Sequence, residues 1–325
     1  NSPTEPITTT CDEGFSPIIG YSDYWGNECY SNYDIKVLED FISNSSSTIN
    51  YSIELNDNNV IEWYELGHQE WENGRLIVFS SYFTYDNYPD VYYDCQLSGN
   101  IPQSITNWQY IKDLRLGLGR FNGMLTGEID ILGNLITLET LSLQNNNFNS
   151  VGIPESIYNL TNLKTLYLAM NSFTGGISSN ISNLINLEWF WVGSNNLSGE
   201  LPNELWNCPN LYEISVENNN FIGNLPDFQE NQLNNLFYLN LQNNNFGSFI
   251  PSSICLLENL LDYVGIVDEA TTEAFGEDWF YFNIGYNYFC PEPNTLQYPI
   301  CIADYIGIQN TDNCKDDGTY SNYSA

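Results

Sequence analysis

The chain has 325 residues, with 7 basic against 41 acidic side chains and a formal net charge of −34, although charged residues make up only 15% of it. A surface of one sign repels nucleic acid and anionic membranes, which argues against both as partners and favours cationic partners or counter-ions. No apolar run approaches the roughly 20 residues that a membrane helix needs, so no membrane insertion is expected.

Residues 1–10 (NSPTEPITTT) are rich in Pro and Thr and are expected to run extended as a tail. The chain starts at Asn1 with neither Met nor an apolar leader, as a mature secreted protein would after processing. Residues 11–95 show no repeat period, but they are apolar and aromatic enough to fold and read as an N-terminal cap. Within them, residues 37–42 (VLEDFI) predict a short amphipathic helix and residues 43–48 a polar break. Residues 71–79 (WENGRLIVF) predict a turn at Asn73-Gly74 followed by a strand. Asp86, Asp90 and Asp94 lack the spacing of a calcium loop, so no metal is expected there.

Residues 96–261 repeat one phrase. It runs Leu141-Ser142-Leu143 with Asn146, Leu166-Tyr167-Leu168 with Asn171, and Phe190-Trp191-Val192 with Asn195. It continues as Ile214-Ser215-Val216 with Asn219 and Leu239-Asn240-Leu241 with Asn244, and the starts lie 25, 24, 24 and 25 positions apart. A fixed period of this size marks a solenoid. Alternating apolar residues make a short strand with one buried face, and such strands stack into a parallel sheet down one side of the coil. The closing Asn turns the chain inward, where its amide can bond backbone groups of neighbouring turns that would otherwise be buried unpaired. A stretched first repeat, Leu114 to Leu141, predicts a bulge near residues 117–123.

A second phrase lies between the strands: Leu125-Thr126-Gly127-Glu128-Ile129, Phe173-Thr174-Gly175-Gly176-Ile177, Leu197-Ser198-Gly199-Glu200-Leu201-Pro202 and Phe221-Ile222-Gly223-Asn224-Leu225-Pro226. Together the two phrases resemble the plant-type, extracellular subclass of the leucine-rich repeat family. That resemblance implies an α/β solenoid, a right-handed coil with a parallel concave sheet and caps at both ends. It also implies a secreted or cell-surface recognition module. The region of Trp25-Gly26 and Cys29, with the Gly-Arg pair at Gly74-Arg75, is similar to the family's amino-terminal cap. A long intervening stretch departs from its paired cysteines, so that disulfide is not carried over.

Residues 262–325 depart from the repeat. Residues 262–279 form an insertion with Asp268, Glu269, Glu273, Glu277 and Asp278, and a loop leaving a rigid coil is a natural contact site. Residues 282–291 (FNIGYNYFCP) predict a last strand with Asn287 at the ladder position, followed by a Cys/Pro-rich cap. The cysteines are grouped at the two ends, where a solenoid exposes its core. Cys11, Cys29, Cys255, Cys290, Cys301 and Cys314 are the disulfide candidates, and the last four allow three pairings. Cys208 stands alone and reads as a small buried hydrophobe.

His68 is the only histidine, and no nucleophile-elbow, phosphate-loop, HExxH or paired CxxC pattern occurs. No catalytic residue, cofactor or metal site is therefore expected. The residues that alternate with the buried leucines should face the concave surface, among them Tyr167, Trp189, Trp191, Tyr238, Glu213 and Glu217. They predict an exposed aromatic patch beside carboxylates, which a partner segment or a glycan ring would cover. Six sequons, at Asn44, Asn50, Asn159, Asn180, Asn196 and Asn322, are N-glycosylation candidates in a secreted context. Two functions fit: a structural protein that assembles with itself or with extracellular matrix, and a module that captures a peptide or polysaccharide.

Overall fold

Each apolar-x-apolar phrase is too short to bury its own side chains, so the coils share one core. The computed structural model describes residues 11–17, 29–49, 60–85, 88–117, 123–261, 282–285, 287–290, 298–302 and 309. Nine strands form one sheet, in the order His68–Glu72, Arg75–Ser80, Asp113–Arg115, Thr140–Ser142, Thr165–Tyr167, Trp189–Trp191, Glu213–Ser215, Tyr238–Asn240 and Phe282–Asn283. All neighbours are parallel except the first two, which pair as an antiparallel hairpin. The central residue of each repeat strand, such as Leu141, Leu166, Phe190, Ile214 and Leu239, is fully buried. Phe221, Phe246 and Phe289 continue the core as a spine, with ring centroids 6.3 and 6.2 Å apart.

The ladder amides close each coil. Asn195 Nδ2 donates to the Leu168 carbonyl of the preceding coil at 3.0 Å and to Val192 and Gly193 of its own. Its oxygen accepts from Phe173 N at 3.0 Å. The same pattern holds at Asn146, Asn171, Asn219, Asn244 and Asn287. The residue before each of the first five, Asn145, Met170, Ser194, Asn218 and Asn243, has a φ between 52° and 56°. That left-handed step, which Asn tolerates better than most residues, drives the ladder side chain under the sheet.

The second phrase pairs coil to coil in two further three-stranded sheets. One joins Ser98–Asn100, Met124–Gly127 and Asn147–Phe148; the other joins Thr174–Gly175, Asn196–Glu200 and Asn220–Ile222. Short 3-10 segments, such as Ile157–Asn159 and Ser179–Asn183, complete the coils.

The segment read as a cap folds onto the first coil. Its helix spans Asn32–Asn44, longer than residues 37–42, because Ser31 caps it and Ile35, Val37, Leu38 and Phe41 form one buried face. The turn at Asn73-Gly74 leads into the expected strand, Arg75–Ser80, which enters the repeat sheet, and it also closes a hairpin with the preceding strand His68–Glu72. Cys11 is bonded to Cys29 and Cys255 to Cys301, while Cys290 is also disulfide-bonded. Cys208 and Cys95 are free and buried. Residues 118–122 of the bulge expected near 117–123, the acidic insertion and Cys314 lie outside the described residues.

Candidate recognition surface on the parallel sheet

Register places the polar faces of the strands in two rows. One row runs Thr140, Thr165, Trp189, Glu213, Tyr238, and the other Ser142, Tyr167, Trp191, Ser215, Asn240. Tyr167 stacks on Trp191 with centroids 4.7 Å apart and planes 27° from parallel, and Trp191 meets Tyr238 at 6.3 Å. Beside them an open hollow of about 540 Å³ is lined by Tyr82, Arg115, Gln144, Tyr167, Trp189 and Trp191, with Thr140, Ser142 and Thr165 between. This volume falls in the range of small-ligand sites, about 300–1,000 Å³.

The two ends of the aromatic group differ in charge. Arg115 donates to both oxygens of Asp113, at 2.8 and 2.7 Å, and this bidentate bond holds the guanidinium charged. At the other end burial raises the carboxyls of Glu213 and Glu217 above the ordinary range; the Trp191 indole opposes the shift at Glu213, and the Ser215 hydroxyl opposes it at Glu217. The Glu217 carboxylate occupies space that a side chain at Gly193 would fill, since a Cβ there would lie 2.0 Å from its oxygen. Burial, with Glu217 adding to it, pushes the Tyr238 phenol up to about 12.

Of the residues expected on this face, Tyr167, Trp189, Trp191, Glu213 and Glu217 are half-buried and come together. Tyr238 occupies the expected row but is not part of an exposed patch: it is only 7% exposed, with Trp191 beside it and the Asn240 amide donating to its hydroxyl. Small residues at Ser142, Ala169 and Ser215 are likewise covered, because larger neighbours in the same rows close over them. Asn44, Asn159, Asn180 and Asn196 are exposed, and Asn50 and Asn322 lie outside the described residues. Asp94 accepts from Gln96 N, and burial raises its carboxyl; Asp86 and the Asp90 side chain lie outside the description.

Two features of the surface escaped the sequence reading. Tyr82, outside the repeats, and Arg115, between Leu114 and Leu116 in the stretched first repeat and in register with Ser142, complete the hollow. A second amide row, at Asn162, Asn186, Asn210 and Asn259, bonds the carbonyl of the preceding coil. Its signal was present in the sequence as Asn-Leu at a spacing of 24, 24 and 49.

The Leucine Rich Repeat family model matches residues 137–160, 162–184, 186–208 and 235–257. The matched residues are leucine-rich repeats. The repeats are of the plant type, and the sheet is the α/β solenoid that the two phrases imply. The repeat chain is similar to a solved structure of PEPR1–AtPEP1, with 25% identity and a TM-score of 0.54 over 70% of this chain and 30% of that one. It is similar to the Arabidopsis receptor kinase HAESA, solved with the peptide hormone IDA and the co-receptor SERK1, with 25% identity, a TM-score of 0.51, and 66% and 35% covered. The ectodomain of the Arabidopsis thaliana receptor kinase GASSHO1/SCHENGEN3, at 24% identity and a TM-score of 0.50 over 70% and 32%, shares the fold. The chain thus spans about a third of the length of these solved repeat chains. No curated protein matches it in sequence. Among the described residues no helix is long and apolar enough to cross a membrane.

Proposed function

We propose that the chain is a non-enzymatic recognition module that holds an extended peptide segment of a partner protein across Tyr167, Trp189 and Trp191. The observation that carries this reading is the open aromatic hollow between the Arg115–Asp113 pair and the half-buried carboxyls of Glu213 and Glu217. Stiff, half-exposed rings are the usual energetic anchors of a peptide interface, and an ion pair at one end with carboxyls at the other makes the two ends chemically distinct, which sets its direction. Similarity to HAESA, whose structure holds a peptide hormone, supports a peptide over other ligands. The Cys11–Cys29 and Cys255–Cys301 bridges accord with a secreted or cell-surface location, where exposed Asn44, Asn159, Asn180 and Asn196 would carry glycans.

Panning a random peptide display library against the chain tests this. Selected peptides should lose about tenfold or more in affinity when Tyr167→Ala and Trp191→Ala are combined, with the thermal midpoint nearly unchanged. Selection of no peptide, or peptides indifferent to the double substitution, would overturn the reading. Fibres in electron micrographs of the purified chain would replace it with assembly, which the net charge of −34 opposes.

A further inference from the structure

A second hollow, of about 470 Å³, lies where the strands begin rather than on the peptide face. Its location follows from a row one residue ahead of the strands. That row reads Lys112, Glu139, Lys164, Glu188 and then Tyr212 and Phe237, by the same register that aligns Trp189, Glu213 and Tyr238. The first part is a rail of alternating charge, with Lys164 2.7 Å from Glu139. After Glu188 the charge stops and rings begin. Tyr212 lies on Phe237 at 5.1 Å with planes only 4° apart, and Trp189 meets Tyr212 edge-on at 6.3 Å.

Amides from the second Asn row border the rings. Asn210 Nδ2 donates to the Ile185 carbonyl at 2.9 Å, and Asn259 donates to that of Asn234. These bonds fix the amides in place while leaving each with an oxygen and a second N–H, and exposed Asn235 lies between them. Flat rings beside fixed amides that both donate and accept match one ligand chemistry: a sugar ring, with a C–H face for the aromatic surface and hydroxyls for the amides. The charge selects within that class, since Glu188 borders the hollow and the chain carries −34, so uronic or sulfated sugars are repelled.

We infer that this edge hollow binds a neutral oligosaccharide whose hexose rings are flat and equatorially substituted, stacked on Tyr212. The site stands independently of peptide capture, and Trp189, which lines both hollows, is not used to test it. Calorimetric titration of the full chain with cellohexaose, laminarihexaose and chitohexaose should show saturable binding of at least one. Tyr212→Ala should weaken that binding about threefold to tenfold, while Tyr212→Phe keeps it. Asn235→Glu, on an exposed side chain, should weaken it without affecting folding, and Tyr167→Ala should leave it unchanged. Binding of none of the three, or binding that survives both Tyr212→Ala and Asn235→Glu, would overturn the inference. So would library-selected peptides that depend on Tyr212, which would assign the edge to a protein ligand.

Discussion

A single ladder amide does the work of several backbone partners. Asn219 donates to the carbonyls of Val192, Val216 and Glu217 at 3.0, 3.1 and 3.2 Å and accepts from Leu197 N at 2.9 Å. It is 7% exposed, so water cannot replace it when it is removed. Each buried group left unpaired costs about 1–3 kcal/mol, and Asn219→Ala orphans Leu197 N, while the Val192 carbonyl keeps its bond from Asn195 Nδ2. The expected loss is about 2 kcal/mol, read as a lower urea midpoint with an unchanged slope. Asn162→Ala, in the outer row, removes one exposed bond to the Ile136 carbonyl and should cost under about 1 kcal/mol. A leucine scan would miss this contrast, because the two Asn rows look alike in sequence and differ only in burial.

Among the elements, the helix Asn32–Asn44 and the hairpin are joined by one charged group. Asp34 accepts from Arg75 Nε and a terminal guanidinium nitrogen at 2.7 and 2.9 Å, and from Leu76 N at 3.1 Å, while its own carbonyl accepts from the Trp108 indole at 3.0 Å. Asp34→Ala leaves a guanidinium that is mostly buried without its counter-charge and should cost about 3–5 kcal/mol by chemical denaturation. Adding Arg75→Met should recover part of that loss, whereas a purely helical role for Asp34 would leave the double variant no better than the single.

This docking was not legible in the chain. The repeats announced themselves because Leu141, Leu166 and Leu239 and their Asn partners recur at a fixed offset. Asp34 and Arg75 are 41 residues apart with no pattern between them, and only the folded hairpin brings them together. The same reason explains the site. Alternation assigned Tyr167 and Trp191 to the sheet's open face, but the burial of Tyr238 depends on the sizes of its neighbours in adjacent coils, which a one-strand pattern does not contain.

Across the whole molecule, the excess of acid acts in two ways that share a sign. Repulsion among 41 acidic side chains disfavours the compact state at neutral pH. Burial also raises the folded-state pKa of Asp94, Glu213 and Glu217. Each then binds its proton more tightly folded than unfolded, so its contribution is fully present below the unfolded value near 4 and is lost as pH rises through the raised value. Asp40 works the other way: burial pushes its carboxyl up, but hydrogen bonds from Lys36 and Ser104 outweigh it, so its contribution is lost as pH falls. Three groups and the net charge outweigh one partly exposed pair, and the thermal midpoint should therefore fall by several degrees between about pH 5 and pH 8. Two controls separate the causes. Salt at pH 8 should restore the part due to long-range repulsion, because exposed charges are screened and buried ones much less so. Glu217→Gln should flatten part of the remainder, since a side chain that cannot ionise removes one of the three raised carboxyls from the balance. A midpoint that rises from pH 5 to pH 8 would mean that those carboxyls are ionised at no cost, and the sheet face would then be wetter than its packing indicates.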